Sequence, residues 1–326
     1  MRKNVLINNK LRIAITNQCN LSCFYCHNEG QPICNKKRFI SLDYIKTMMK
    51  WFKENDVYIE VINITGGEPL LHPNLLEIID ECKAVCNQIH LNTNATLLTY
   101  ELIDILADKN VQIKVGIDTF YAEQTKPNIY TTPNNVKKVI ELMRYAATKT
   151  VLELNTVLTR YNYKDIDDMI KFAIDMGAEC LKVIKLNDLN PRGLNEKKEI
   201  SEDFKTNQKE PEIFWEIQDR WIKKAWHYDV WPYRGKIEAY IKKDDESEFV
   251  LLLCDEVCAC GGCANLFTPI DANGDLMICP KRHITEKIDF SQDFETVNNI
   301  LKQGRLKMCD SSVNRYNLRD NYKEVL

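Results

Sequence analysis

The sequence lacks the features that mark secreted, membrane-spanning or nucleic-acid-binding proteins. No apolar run approaches the roughly 18–20 residues that span a bilayer. Asn8, Asn9 and Lys10 interrupt the segment where a signal peptide would have its apolar core. With 44 basic and 47 acidic residues the net charge is only -3, which argues against general affinity for nucleic acid or anionic membranes. These absences predict a soluble, cytoplasmic protein that binds neither membrane nor nucleic acid.

Histidine is also scarce, whereas cysteine is abundant. The chain has 5 histidines, all scattered, and 13 cysteines. A secreted disulfide scaffold would be shorter and would carry a signal peptide. The cysteines cluster between Cys19 and Cys34 and between Cys254 and Cys279. Clustered cysteines in a reducing compartment are typical of metal binding, so the sequence predicts two metal sites without histidine ligands.

Short apolar runs alternate with amphipathic stretches in the first part of the chain, which predicts a parallel sheet with helical connections. Ser41 and Thr99 are predicted N-caps. Such a sheet either stays open or rolls into a barrel, and in both cases ligands gather at the carboxyl ends of the strands. The predicted strands are 11–16, 61–65, 89–93, 111–117, 151–158 and 180–186, and the predicted helices are 42–54, 74–86, 99–109, 134–147 and 164–176.

The pattern changes after Leu186, where residues 187–212 are polar and dense in charge. Residues 213–226 predict a helix whose Phe214, Ile217 and Trp221 form an apolar stripe typical of core packing. We therefore predict three regions. They are a sheet domain at 1–186, a linker and helical connection at 187–250, and a small cysteine-rich domain with the tail at 251–326.

The spacing Cys19-x3-Cys23-x2-Cys26 follows the first predicted strand directly. Three thiolates hold a four-iron cluster only if one iron lacks a protein ligand, and such an open iron is a binding site. A zinc site or unrelated thiols is the alternative. "TGGEP" follows the second predicted strand, where Gly66 and Gly67 allow close approach of the backbone and Pro69 fixes the exit of the turn. Both motifs are therefore expected at the same edge of the sheet.

The cysteine triplet, with Tyr25 as the aromatic residue before Cys26, resembles the signature of the radical S-adenosylmethionine (SAM) superfamily. The resemblance covers roughly residues 11–186 and implies an α/β fold, a partial (β/α)6 barrel. It also implies that SAM chelates the open iron of a [4Fe-4S] cluster held by Cys19, Cys23 and Cys26. The reduced cluster would cleave SAM to a 5'-deoxyadenosyl radical, with the electron coming from a donor such as flavodoxin or ferredoxin.

The same resemblance assigns roles to polar residues at later strand ends. "TGGEP" resembles the superfamily's second motif, in which Gly66, Gly67, Glu68 and Pro69 surround the methionine end of SAM and the glutamate holds its amino group. In similar enzymes, polar residues at the places of Asn94, Asp118 and Asn155 contact SAM or substrate. From the residues alone, each of the three is equally well a strand-end turn former.

The second cysteine cluster is Cys260-x2-Cys263-x15-Cys279. A hairpin with a turn at Asn273-Gly274 would carry Cys279 back to the other two. Cys254 and Cys258 are the candidates for a fourth ligand, and proximity favours Cys258. The segment resembles the Twitch domain of some radical SAM enzymes, which implies an auxiliary [4Fe-4S] cluster that transfers an electron or ligates the substrate. A structural zinc knuckle is the alternative.

Two motifs, "LRIAITNQCNLSCFYC" and "TGGEPLLHP", also resemble the family of GTP cyclases that make the cyclic pyranopterin precursor of molybdenum cofactor, with Arg12 at a nucleotide-binding position. The chain departs from that family where "ANLF" follows Cys263 instead of arginines, and where it ends "NYKEVL" without a glycine pair. These departures predict a peptide or small-metabolite substrate. The GTP cyclase itself is the alternative, and a non-catalytic iron–sulfur electron carrier is a third, less favoured one.

Overall fold

Parallel strands in sequential order form the centre of the fold. The computed structural model describes residues 3–21, 23, 26, 38–118, 133–159, 162–185, 210–231, 236–254, 267–279 and 284–307. Of the predicted site residues, Tyr25, Cys258, Cys260 and Cys263 lie outside these ranges. The central strands are β1 (Lys10–Ala14), β2 (Ile59–Thr65), β3 (Cys86–Thr93), β4 (Val111–Gly116), β5 (Leu152–Leu158) and β6 (Cys180–Lys185).

Five helices connect these strands, close to the predicted positions. Ser41 and Thr99 cap the first and third of them, because their side chains accept hydrogen bonds from the amides of Tyr44 and Leu102 at 3.1 Å. The predicted N-caps are thus confirmed. The helices are α1 (Leu42–Glu54), α2 (Leu75–Lys83), α3 (Tyr100–Asp108), α4 (Pro133–Ala147) and α5 (Ile166–Asp175).

The second helix is shorter than predicted, and Cys86 consequently lies in a strand rather than in the helix. Helix α2 ends at Lys83, and Cys86 is the first residue of β3. The predicted helix 74–86 therefore extends too far. Cys82 is fully buried in the core, where it packs as a small hydrophobe.

The sheet extends on both sides beyond the six central strands. A helix, α6 (Glu210–Ile222), buries Phe214, Ile217 and Trp221, which confirms the predicted apolar stripe. Of the strands that follow it, the first three, at 227–231, 236–242 and 248–254, lie mostly where the sequence predicted only linker and helix. The added elements are β7 (His227–Trp231), β8 (Lys236–Lys242), β9 (Glu248–Cys254), β10 (Thr268–Ile270), β11 (Leu276–Cys279), β12 (Ile284–Glu286) and α7 (Phe294–Lys307).

The strand order is β12-β11-β10-β1-β2-β3-β4-β5-β6-β9-β8-β7 in a single 12-stranded sheet. Strand β10 pairs in parallel with β1, and β9 pairs in parallel with β6. The edge strands β12 and β7 are not paired with each other in the part of the chain described. This arrangement confirms the predicted α/β fold with a partial barrel.

The two faces of the sheet differ in polarity. Leu11, Ile13, Ile62 and Ile64 face the helices and belong to one buried apolar cluster. Alternate residues of the same strands point to the other face, here called the inner face. In β1 to β4 the register aligns a polar row across the inner face, consisting of Arg12, Asn63, His90 and Gln112.

The predicted hairpin forms and packs beside the first strand. Strands β10 and β11 pair antiparallel at Ile270 and Leu276, and Gly274 in the turn has φ +84°. The Tyr44 hydroxyl of α1 donates a 2.5 Å hydrogen bond to the carbonyl of Gly274. Arg38 donates at 2.7 Å to the side chain of Asn273. Helix α1 and the chain before it therefore hold the hairpin turn at the carboxyl edge of β1. None of the described helices is long and apolar enough to cross a membrane.

Candidate active site

The cysteine loop and the "TGGEP" loop lie side by side at the carboxyl edge of β1 and β2, as predicted. The amide of Gly67 donates a 2.8 Å hydrogen bond to the carbonyl of Thr16. The amide of Glu68 donates a 2.7 Å bond to the carbonyl of Gln18, the residue before Cys19. The second motif is thus bonded directly to the backbone that leads into the first cysteine.

The described contacts of the two glycines are with the cysteine loop itself. A Cβ atom on Gly67 would lie 2.1 Å from the carbonyl oxygen of Gln18, and one on Gly66 would lie 2.4 Å from that of Thr16. Gly66 also has φ +148°, which disfavours any side chain. From the sequence, Gly66 and Gly67 were predicted to allow close approach of the backbone to a ligand. The structure adds a second requirement, since both positions must be glycine for the two loops to pack.

Polar side chains close the base of the cysteine loop. The Thr16 hydroxyl donates to the carbonyl of Arg38 at 2.8 Å and accepts from the amide of Gln18 at 3.0 Å. The side chain of Asn17 accepts a 3.0 Å bond from the amide of Arg38. The two ends of the cysteine loop, at Thr16–Asn17 and at Arg38, are therefore hydrogen-bonded to each other. Asn17 was not among the predicted site residues, because nothing in the sequence reveals which residue closes the loop.

Glu68 is a buried carboxylate bonded by its own chain. One oxygen accepts bonds from the Thr93 hydroxyl at 2.7 Å and from the amide of Leu70 at 3.0 Å. The other accepts a 2.8 Å bond from the amide of Asn94. Burial raises the pKa of Glu68, and these three bonds oppose the rise. Glu68 ties the end of β2 to the end of β3.

Asn94 reaches from the end of β3 to the first cysteine. Its side-chain nitrogen lies 2.9 Å from the Asn20 side-chain oxygen and donates to the Cys19 sulfur at 3.8 Å. The amide of Leu21 donates to the same sulfur at 3.4 Å. The Asn94 oxygen accepts from Thr96, which fixes the orientation of the side-chain amide. Two donors thus point at the Cys19 sulfur, an arrangement that stabilises a thiolate.

The donor set suits an iron–sulfur cluster. Cys19, Cys23 and Cys26 are all partly exposed on the loop. Among the described residues, no three His, Cys, Asp or Glu side chains are placed to share one metal ion. A four-iron cluster does not require that arrangement, because each thiolate binds a different iron atom.

Two further predicted residues belong to β4 and β5. Asp118 lies just beyond the end of β4, whereas Asn155 lies in the middle of β5, so its predicted place at a strand end is wrong. Asp118 is buried and accepts a 2.8 Å bond from the amide of Val157 and a 3.2 Å bond from the Thr156 hydroxyl. Asn155 lies on the inner face, between Gly116 and Lys182 in the register. Asp118 therefore links neighbouring strands in the described structure, whereas Asn155 is placed toward the interior of the barrel.

Asn162 belongs to the same network and was missed by the sequence analysis. It is fully buried. Its oxygen accepts from the amide of Thr159 at 2.7 Å, and its nitrogen donates to the carbonyl of Val157 at 2.9 Å. A buried asparagine bonded to backbone at a strand end positions a turn. The only signal in the sequence is "TRYN" after a strand, which is common to many turns.

The second cysteine cluster is described only in part. Cys279 ends β11, and because β11 runs antiparallel to β10, it lies toward the amino ends of the central strands. Cys254 ends β9, which is parallel to β6, so it lies at the carboxyl edge and is buried. The two cysteines are therefore placed at opposite edges of the sheet.

A family model described as the Radical SAM superfamily matches residues 13–173. A probable GTP 3',8-cyclase from Methanocaldococcus jannaschii is 35% identical over 182 residues, which cover 54% of this chain and 58% of the relative. A second, from Methanosarcina mazei, is 28% identical over 276 residues, covering 82% of this chain and 76% of the relative. The matched part is thus less than two thirds of the M. jannaschii relative. These matches confirm the resemblance predicted from the motifs and indicate an enzyme.

Solved structures with a similar fold include one with AdoMet bound and one with a precursor peptide bound. Native anSMEcpe with bound AdoMet has a TM-score of 0.67 at 14% identity, covering 94% of this chain and 84% of that one. Streptococcus suis SuiB bound to precursor peptide SuiA has a TM-score of 0.57 at 17% identity, covering 92% and 70%. At these identities the likeness concerns the fold alone.

Proposed function

We propose that this chain, which carries a radical SAM domain over residues 13–173, cleaves SAM reductively at a [4Fe-4S] cluster held by Cys19, Cys23 and Cys26. The observation that carries the proposal is the bonded packing of "TGGEP" against the cysteine loop at one edge of the sheet. When bound, the cluster supplies the electron that breaks a carbon–sulfur bond of SAM. The electron donor is proposed to be a flavodoxin or ferredoxin.

The chain's own residues position the loops around that site. Gly66, Gly67 and Pro69 are proposed to shape the pocket for the methionine end of SAM, with Tyr25 on the cysteine loop. Glu68 already accepts three hydrogen bonds. A carboxylate has about four acceptor positions, so one position on Glu68 is left for an amino group of the ligand. Asn94 is proposed to position Cys19 rather than to contact SAM.

Asp118 and Asn155 are proposed to lie near SAM or the substrate, as predicted from the sequence. The bonds of Asp118 to the Thr156 hydroxyl and the Val157 amide favour a positioning role for it. Asn155 faces the interior, where a substrate would lie. The two residues would thus act in different ways, one through the backbone of β5 and one by direct contact.

An auxiliary [4Fe-4S] cluster is proposed at Cys260, Cys263 and Cys279. The fourth ligand is proposed to be Cys258. Cys254 lies at the carboxyl edge of the sheet, whereas Cys279 lies toward the amino edge, and this separation supports Cys258 over Cys254. The substrate would then lie between the two clusters, along the inner face.

The relatives favour a nucleotide substrate over a peptide. Several of them are named probable GTP 3',8-cyclases, which supports the alternative from the sequence analysis better than its leading prediction. The inner face carries cationic residues that suit a triphosphate, among them Lys10, Arg12 and Lys182. The substrate proposed first is therefore GTP, cyclised between two of its own atoms.

A peptide or small metabolite is the second candidate. The observation that favours it is the sequence "ANLF" after Cys263, where the GTP cyclase family carries arginines. Losing those cations would weaken the hold on a triphosphate.

Anaerobic incubation of the reduced, reconstituted protein with SAM and GTP tests both levels of the proposal. We expect 5'-deoxyadenosine and an isomer of GTP, measured by mass analysis of the nucleotide. Deoxyadenosine with unaltered GTP would retain the radical SAM activity and favour the second candidate. Absence of deoxyadenosine with a fully loaded, reduced cluster would refute the proposed function.

Asn94→Ala is expected to lower the reduction potential of the SAM-binding cluster. A hydrogen bond to a ligand sulfur stabilises the more negative, reduced state, so its loss favours the oxidised state. A bond worth about 1 kcal/mol corresponds to roughly 40 mV for one electron. An EPR-monitored redox titration measures the shift. The matched control is Asn92→Ala, because Asn92 donates to the carbonyl of Ile64 and not to a cysteine. Equal shifts in both variants would contradict the role given to Asn94.

A further inference from the structure

The middle of the inner face holds two polar side chains whose buried nitrogen atoms have no partner among the described residues. Asn63 of β2 and His90 of β3 are direct neighbours in the parallel register, where strands are about 4.8 Å apart. Asn63 is only 4% exposed. Neither its Nδ2 nor the Nε2 of His90 has a hydrogen-bond partner within the described ranges. Buried polar nitrogens are nearly always bonded in native proteins, so two side by side point to a ligand.

Cationic side chains lie next to this pair. Lys10 precedes Arg12 by two residues on the face that Asn63 shares. Lys114 follows Gln112, the register partner of His90, by two residues on β4. The Lys114 side chain is 17% exposed and forms a 2.6 Å ion pair with Glu153. Glu153 offsets the charge of Lys114, so the positive charge beside Asn63 and His90 comes from Lys10 and from Arg12, the register partner of Asn63.

The same surroundings decide the charge of the imidazole. Burial, then Lys114 and Lys10, lower the pKa of His90 to about 3, so the ring is neutral at pH 7. A neutral ring with Nε2 protonated donates one hydrogen bond without adding charge. Beside it, the Asn63 amide is a second neutral donor.

We infer that Asn63 and His90 form a binding site for an oxyanion of the substrate, a phosphate or carboxylate group, flanked by Lys10 and Lys114. Two neutral donors and nearby cations complement an oxygen-bearing anion and would leave no buried nitrogen unpaired. The inference deepens the proposed function and rests on it for the identity of the substrate. A triphosphate and the carboxylate of a peptide or metabolite are the two sources of such a group.

The test is calorimetric titration of the full-length, reconstituted protein with inorganic tripolyphosphate and, separately, with succinate. We expect Asn63→Leu and His90→Phe each to weaken binding of the preferred probe about tenfold or more, the loss of a charge-assisted hydrogen bond. Asn298→Leu is the matched control, because Asn298 on α7 also has a buried side-chain oxygen without a described partner but lies outside the inner face. It should bind as the wild type does. Preference for tripolyphosphate or succinate identifies the source of the oxyanion.

Stability measurements separate a lost site from a damaged fold. Replacing an unpaired buried amide by leucine should keep or raise the melting temperature in both Asn63→Leu and Asn298→Leu. If Asn63→Leu does not fold, Asn63→Ala takes its place. Equal binding by the wild type and the Asn63 variant, or no binding of either probe by the wild type, would overturn the inference. SAM cleavage is measured separately, so its failure would count against the proposed function alone.

Discussion

Replacing Cys19, Cys23 and Cys26 together by alanine is expected to abolish the formation of 5'-deoxyadenosine from SAM. The three thiolates are the only protein ligands proposed for the cluster, and without them no open iron is available to bind SAM. The loss should be complete rather than partial, because the substitutions remove the whole metal centre and not a single interaction with it. Anaerobic assay of the reduced protein by chromatography measures the product.

Iron analysis of the same variant makes this prediction quantitative. The wild type should hold about eight irons per chain and the triple variant about four, if each site holds a four-iron cluster. Cys86→Ala is the matched control, since Cys86 lies at the start of β3 and burial raises its thiol pKa to about 12. That variant should keep both iron content and cleavage. Undiminished cleavage by the triple variant would refute the assignment of the cluster.

The sequence predicted the central sheet because its signals are local. Alternating apolar runs placed β1 to β6 to within about three residues, and Ser41 and Thr99 marked the helix starts that the structure contains. Cys86 was misassigned because periodicity continued past the end of α2. Strands β7 to β9 were missed because they follow a charged, irregular stretch and form an antiparallel extension, for which the strand–helix repeat gives no signal.

The sequence motifs predicted which loops form the candidate site, but not which side chains contact each other there. The triplet and "TGGEP" identified the two loops, and parallel topology placed them at one edge. The bond from Asn94 to Cys19 and the unpaired nitrogens of Asn63 and His90 depend on register between strands. Register is a long-range property, and a single sequence does not reveal which polar residue on a face lacks a partner.

Gly67→Ala adds a single methyl group and is expected to disturb the structure of this site strongly. The added Cβ would lie 2.1 Å from the carbonyl oxygen of Gln18 and 2.9 Å from the amide of Cys19. Backbone atoms cannot move aside as a side chain can, so the loops must separate and lose the two hydrogen bonds between them. We expect a loss of about 2–3 kcal/mol of local stability and a Tm lower by roughly 5 °C.

The consequence should extend to the cluster, because the displaced backbone leads directly into Cys19. Reconstitution of Gly67→Ala is therefore expected to recover less iron at the SAM-binding site than the wild type. Gly116→Ala is the matched control, since a Cβ at Gly116 would meet no atom within 4 Å, and its Tm should stay within about 1 °C of the wild type. Thermal denaturation followed by circular dichroism, with iron analysis of each variant, measures both effects. If Gly67→Ala matched Gly116→Ala in both, the glycine pair would not be what holds the two loops together, and its requirement would have to come from the bound ligand instead.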